Sequence, residues 1–222
     1  MTEVAEARPW TGDDPFGTAI RAGRGPIWLR EENGRRHPLD ISRWCGPVDA
    51  ADRGMLRRCT GPVLDVGCGP GRLVAELMAL GIPALGVDLA EASVDRTRGL
   101  GAAVVCRSVF DRLPGEGRWR TALLADGNLG IGGDPARLFG RIARLLAPGG
   151  TLLVEVEIAE LDERLTVQVE DADGRLGVPF VWARLGAAAA ARHAARAGFT
   201  PRERWDERGH RFVALSASSS LS

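Results

Sequence analysis

The densest chemical signal in the chain is the run Asp65-Val66-Gly67-Cys68-Gly69-Pro70-Gly71. Glycine at alternate positions permits positive φ and lets a backbone approach a ligand with no Cβ in the way. The spacing is G-x-G-x-G, not the G-x-G-x-x-G of dinucleotide folds. Glycine-rich turns also serve tight packing alone. Asp65 precedes the first glycine, where a carboxylate suits a cationic ligand better than a pyrophosphate. Asp88 ends a second apolar run, Leu85-Gly86-Val87, where a carboxylate can accept both hydroxyls of a ribose; a nicotinamide cofactor would use it the same way. A second glycine-rich loop, residues 125–134, offers Asp126 and Asn128 for orienting a reactant, with Asp126 a candidate general base. The competing reading has Asp126 capping local backbone donors while the glycines turn the chain.

Other candidates are weaker. His37 can act as a base, although a lone histidine among arginines more often sits on a surface. Trp28 and Trp44 flank it and can wall an apolar pocket or pack in a core. His193 lies in a polar stretch of helix and His210 precedes a strand. The four cysteines form no C-x-x-C pair and have no histidine at ligand spacing, so zinc is not expected.

These residues need a scaffold, and strand and helix signals alternate from Pro62 onward. Strands are expected at 62–66, 84–87, 102–106, 121–125 and 151–156. Helices are expected at 72–80, 90–98 and 135–146, the last stopped by Pro148-Gly149-Gly150. Such alternation implies a doubly wound α/β domain with a mostly parallel sheet covered on both faces. Beyond Val156 the rhythm changes. Residues 164–170 alternate, Asp171-Ala172-Asp173-Gly174 is a turn, and 178–183 is strand-like, which reads as an inserted antiparallel hairpin. An Ala-rich helix (185–197) and two closing strands (200–205 and 211–215) follow. Asp49 is a plausible N-cap for a short helix, with Asp52 favouring its positive end. One domain over 15–216 is expected: an N-terminal helical lid (15–60), a core (61–216), and loose ends at 1–14 and 217–222.

Bulk properties exclude other classes. The 222 residues are 45% hydrophobic and 26% charged with no net charge, so no surface is built to attract nucleic acid or anionic lipid. The start is acidic without an apolar core, unlike a secretory signal, and no apolar run reaches membrane-spanning length. A cytoplasmic protein is the simplest expectation. The complete absence of Lys and Tyr, beside abundant Arg, Ala and Gly, suggests the coding bias of a high-GC bacterium.

The segment Val63-Leu64-Asp65-Val66-Gly67-Cys68-Gly69-Pro70-Gly71 resembles the first motif of class I S-adenosylmethionine-dependent methyltransferases. Asp88, Pro148-Gly149-Gly150 before the fifth strand, and the closing helix and strands extend the likeness over roughly 59–215. The resemblance implies seven strands in the order 3-2-1-4-5-7-6 with strand 7 antiparallel, and S-adenosyl-L-methionine as cofactor. It implies that Asp65, Gly67, Cys68, Gly69 and Gly71 surround the methionine part and that Asp88 and Leu89 meet the ribose. Ser108, Val109 and Phe110 would meet the adenine, with Ser108 where the family usually has an acid and Phe110 equally at home in a core. Asp126 and Gly127 would border the methyl donor, and the N-terminal segment carrying His37 would cover the acceptor. A small-molecule acceptor is expected, since there is no basic patch or added recognition domain for nucleic acid. Three alternatives stand beside this. They are a protein that binds S-adenosylmethionine without transferring methyl, a nicotinamide oxidoreductase, and a magnesium-assisted transferase using Asp126 and Glu157.

Overall fold

Strands whose residues are apolar on both faces must be covered on both, and Val63, Leu64, Asp65 and Val66 are all buried. The computed structural model describes Trp10 and residues 14–218. The N-terminal part comprises α1 (Pro15–Ala22), β1 (Ile27–Glu31), β2 (Arg36–Leu39), α2 (Ile41–Cys45) and α3 (Ala50–Leu56). The alternating core follows: β3 (Val63–Val66), α4 (Arg72–Ala79), β4 (Ala84–Asp88), α5 (Glu91–Gly99), β5 (Val104–Cys106), β6 (Trp119–Leu124), a kinked 3-10 turn (Asn128–Gly133), α6 (Pro135–Leu145) and β7 (Leu146–Val156). The chain then adds β8 (Asp162–Asp171), β9 (Phe180–Leu185), α7 (Ala187–Arg196), β10 (Phe199–Glu207) and β11 (His210–Ala217).

The large sheet runs β10-β11-β7-β6-β3-β4-β5, with β11 antiparallel to β7 and to β10 and the rest parallel. Numbered along the core, that is the expected order 3-2-1-4-5-7-6. Alternate residues feed the two faces. Ala122 and Leu124 pack with α6 and α7 residues such as Phe139 and Ala190, while Leu123 packs with Leu73, Leu77 and Met55 of α4 and α3. The Pro148-Gly149-Gly150 turn sits inside β7 as an irregularity, between the pairings Trp119↔Leu146 and Thr121↔Thr151.

The expected helical lid is corrected. Residues 15–56 mix three short helices with two strands, and β1 and β2 join the insertion in a second sheet ordered β2-β1-β8-β9. β1 pairs with β8 across the sequence, Leu29 opposite Val169, which no local pattern announces. The hint was Asn33-Gly34 between the two strands, a hairpin signal rather than a mere break. The inserted hairpin itself is present, β8 pairing antiparallel with β9. Of the ends expected to be loose, residues 1–9, 11–13 and 219–222 lie outside the described residues. Trp10 packs against Phe16 and Phe180 at ring-centroid distances of 4.7 and 4.6 Å, and Asp14 caps α1. Ala217 pairs with Phe199. Among the described residues no helix is long and apolar enough to cross a membrane.

Candidate functional site

The carboxyl ends of the parallel strands open into a cavity of about 990 Å³, bounded on its far side by the small sheet. The glycine run leaves β3 here. Gly67, Gly69 and Gly71 all have positive φ (72°, 53° and 88°). Two of them are also sterically required. A Cβ on Gly67 would lie 2.8 Å from the Asn128 side chain, and one on Gly71 would lie 2.5 Å from Thr97. Asn128 Nδ2 donates to the Gly67 carbonyl at 2.7 Å, so the strand-β6 loop props the glycine loop from the side. Cys68 is buried against Gly86, where a Cβ would meet its Sγ at 2.6 Å.

Asp88 anchors the other side of the loop. Its Oδ2 accepts from Gly69 N and its Oδ1 from Ala90 N, both at 2.8 Å. Burial raises its pKa while those backbone N–H groups oppose the rise. Each carboxylate oxygen keeps a second lone pair for a ligand hydroxyl. Leu89, Ser108, Val109 and Phe110 continue this end of the cavity. The Phe110 ring lies under the Arg137 guanidinium at 4.2 Å and is a half-buried cavity wall that also packs against the main core.

Asp65 is placed differently from the expectation of direct contact. It is 1% exposed, lies beneath the loop, and does not line the cavity. Its Oδ2 is buried with no hydrogen-bond partner. Burial pushes its pKa up to about 7; Arg72 pulls it down, and Asp126, Asp88 and Asp52 add to the rise. The floor under the loop is thus a negative region that a cationic ligand would relieve.

Asp126 lines the cavity beside Gly127, but its carboxylate is engaged. It pairs with Arg43 and, at 2.7 Å, with Arg72 Nη1. Burial raises its pKa while Arg72 and Arg43 hold it down. Arg72, the first residue of α4, also grips Asp52 bidentately at 2.9 and 2.8 Å. Burial disfavours the Arg72 charge, yet Asp126 and Asp52 outweigh that and raise its pKa. Arg43 of α2 completes the cluster on Asp52 and Asp49 at 2.9 Å each. Asp49 and Asp52 form the expected cap as a full capping box. The sequence reading found that cap and missed that Asp52 also receives both arginines.

The remaining candidates disperse. His37 lines the cavity, with Nε2 2.6 Å from Glu31 Oε1. Trp44 lines it too, whereas Trp28 lies under Arg36 at 5.4 Å and does not. Glu157, the second carboxylate of the magnesium alternative, is paired with Arg184 at 2.8 Å. Among the described residues no three His, Cys, Asp or Glu side chains gather as a metal site. Sequence reading passed over Glu155, at the end of β7. Its Oε2 accepts from Asp126 N at 2.8 Å and its Oε1 meets His210 Nδ1 at 2.6 Å.

A methyltransferase-domain family model matches residues 63–150, the stretch from β3 into β7 that builds the glycine loop and the Asp88 and Asp126 ends. Residues 63–150 are thus similar to a methyltransferase domain, and the sheet order around them is that of a Rossmann-like methyltransferase fold. The methyltransferase fold recurs in a solved S-adenosylmethionine-dependent methyltransferase from Bacteroides fragilis, in complex with S-adenosyl-L-homocysteine. Identity is 21%, the TM-score 0.78, and coverage 92% of this chain and 95% of that one. It recurs in the 1,6-didemethyltoxoflavin-N1-methyltransferase of Burkholderia thailandensis, solved with 1,6-didemethyltoxoflavin and S-adenosylhomocysteine, at 21% identity and TM-score 0.57 over 76% and 79% of the two chains. The sugar N-methyltransferase KedS8 from Streptoalloteichus shares it at 19% identity and TM-score 0.55 over 75% and 85%. No curated protein matches the sequence.

Proposed function

We propose that the protein transfers a methyl group from S-adenosylmethionine to a small-molecule acceptor held between the glycine loop and the small sheet. The observation that carries this reading is one continuous cavity. It runs from Asp88 and Phe110, past the glycine loop, to a wall of aromatic residues on α1, α2 and β9. When bound, the cofactor supplies an electrophilic methyl group on a sulfonium. The residues present suit such a ligand: a glycine cradle that a Cβ would fill, an orphaned buried carboxylate under it, and an acid with lone pairs to spare for hydroxyls.

In this reading the glycine loop, Cys68 included, holds the methionine part over the negative floor made by Asp65. Asp88 with Leu89 holds the ribose, and Ser108, Val109 and Phe110 border the adenine. Asn128 fixes the loop through Gly67, and Gly127 leaves room at the donor end. Asp126 serves as a strut rather than a base, because two guanidinium groups occupy its carboxylate. Methyl transfer is an in-line displacement, so holding acceptor and donor in line supplies much of the rate. Two of the similar structures are by their names methyltransferases of small molecules, 1,6-didemethyltoxoflavin and a sugar, and this favours a small acceptor here.

Calorimetry with S-adenosylhomocysteine and with NADH tests the cofactor half. S-adenosylhomocysteine is expected to bind, and Asp88→Ala to weaken it at least tenfold, about 1.4 kcal/mol. Binding of NADH alone, or no effect at Asp88, would overturn the reading. Labelled-methyl transfer into a metabolite extract then separates an enzyme from a protein that only binds the cofactor.

A further inference from the structure

The chain has twelve aromatic side chains, six Trp and six Phe, and six of them line this one cavity. Phe110 stands at one end. Trp10, Phe16, Trp44, Phe180 and Trp182 form a continuous wall at the other, with successive ring centroids 4.6 to 6.5 Å apart. The wall is fixed against the donor end. A Cβ on Gly130, in the turn after Asp126, would lie 2.3 Å from the Trp182 ring. Glu157 N donates to the Leu185 carbonyl at 2.9 Å, which ties the end of β9 to the end of β7.

His210 reaches the same place because β11 runs backwards. An antiparallel strand beside β7 begins where β7 ends, and Arg211 sits opposite Val156. The turn before it, Arg208-Gly209, has positive φ at both residues (52° and 82°), the two-residue hairpin geometry that delivers His210 to the cavity rim. Its Nδ1 meets Glu155 Oε1 at 2.6 Å. A carboxylate there fixes the Nδ1–H tautomer and leaves the Nε2 lone pair free. No partner for Nε2 is found among the described residues. The charged groups facing His210 are Glu155 of β7, Arg43 of α2 and Asp49 ahead of α3. On the acceptor side both wall carboxylates, Glu155 and Glu157, are already paired, with His210 and Arg184. A cationic amine would find no free carboxylate there, whereas a neutral acceptor that gives up a proton needs only a base.

Resting on the methyltransferase reading, we infer that the acceptor is a flat aromatic compound bearing an ionisable hydroxyl, stacked in the Trp10–Trp182 wall, with His210 held by Glu155 as its general base. The proton passes from the hydroxyl oxygen to Nε2, leaving an aryloxide and an imidazolium paired with the Glu155 carboxylate. The aryloxide oxygen is then the nucleophile of the transfer proposed above: its bond to the methyl carbon forms as the sulfur–methyl bond breaks, and that electron pair stays on a now neutral sulfur.

The test uses the full chain saturated with S-adenosylhomocysteine and three two-ring probes: 7-hydroxycoumarin, 2-naphthol and 8-hydroxyquinoline. Absorbance distinguishes the bound hydroxyl from its anion without turnover. At least one probe is expected to bind and to ionise about one pH unit lower than in water, a tenfold change in the equilibrium. His210→Asn and His210→Gln should abolish that displacement while S-adenosylhomocysteine affinity stays unchanged. Trp182→Ala should weaken probe binding about tenfold. With S-adenosylmethionine and the best probe, kcat should rise with pH through the His210 titration. Glu155→Gln, which removes the charge that holds the imidazolium, should move that limb to lower pH. Binding of none of the probes overturns the inference. So does ionisation unaltered by both His210 variants, or labelled methyl passing to glucosamine in preference to every probe. Failure of the wild type to bind S-adenosylhomocysteine would instead sink the cofactor reading beneath it.

Discussion

Replacing Asp65 by Asn removes a buried charge while keeping the side chain's shape. Asp65 is 1% exposed, its Oδ2 has no partner, and burial lifts its pKa from 3.8 to about 7. An acid whose folded pKa lies above its unfolded value binds more protons in the native state between the two values. Stability is therefore highest at low pH and falls as pH rises from about 4 towards 7. At 1.36 kcal/mol per unit, Asp65 costs the fold about 4 kcal/mol at pH 8, where it is ionised in both states, and about 2 kcal/mol at pH 5, where the fold keeps it protonated. Asn brings its own unsatisfied amide, worth about 1–3 kcal/mol, but that cost does not depend on pH. The clean quantity is the change in variant-minus-wild-type stability between the two pH values. It should be about 2–3 kcal/mol in favour of Asn at pH 8, since other titrating groups cancel. Urea unfolding reads this as a relative midpoint shift of roughly 1 M, for a slope near 2–3 kcal/mol/M. S-adenosylhomocysteine carries an ammonium group that should offset the negative floor, so the same variant should bind it about tenfold more weakly at pH 8. Parallel stability–pH curves for the two proteins would refute the claim that Asp65 is a buried, uncompensated acid.

Other changes test neighbouring parts of the site. Gly71→Ala places a Cβ 2.5 Å from Thr97 at a φ of 88°; it should cost roughly 2–4 kcal/mol in urea unfolding and abolish S-adenosylhomocysteine binding by calorimetry. Arg72→Met leaves both Asp52, with its side chain 2% exposed, and Asp126 to Arg43 alone; a loss of about 3–5 kcal/mol is expected in thermal or urea unfolding. Asp126→Asn should lower labelled-methyl transfer less than tenfold, whereas removal of a true general base would cost about 10²–10⁴-fold.

The half of the cavity proposed to hold the donor was legible because it is local. β3 is buried along its whole length and β6 at all but one position, and such apolar runs declare themselves by composition. The glycine positions follow from the loop they make, and Asp88 from its place at a strand end. The half proposed to hold the acceptor was not legible, because its pieces meet only through pairings distant in sequence. β1 alternates buried and half-buried residues, yet its partner β8 lies more than a hundred positions away. Arg43 and Arg72 read as two more arginines among 29 basic residues, and only the fold reveals that both close on Asp52 and Asp126. His210 looked like the residue before a strand. What gives it a place in the cavity is the reversed direction of that strand.

The buried ion cluster bears on how the two halves are joined. Arg72 belongs to the helix that the glycine loop starts, Asp126 to the loop after β6, and Arg43, Asp49 and Asp52 to the N-terminal segment. Asp126 itself holds a φ of 55°, a conformation that costs about 1 kcal/mol outside glycine, and the two guanidinium groups fix it there. Any shift of α2 or α3 would leave buried carboxylates underpaired, a far larger cost than any surface contact could return. The N-terminal segment is thus bound to the loop proposed to hold the donor, and the two should move as one body. The β9 part of the aromatic wall takes no part in that cluster. β9 meets the core through Trp182 and Val181 on the turn at Gly130–Gly133 and through the Glu157–Leu185 and Arg184–Glu157 contacts to β7. Acceptor preference can therefore change on β9 without loosening the cofactor loop, whereas a change at Arg43 would disturb both.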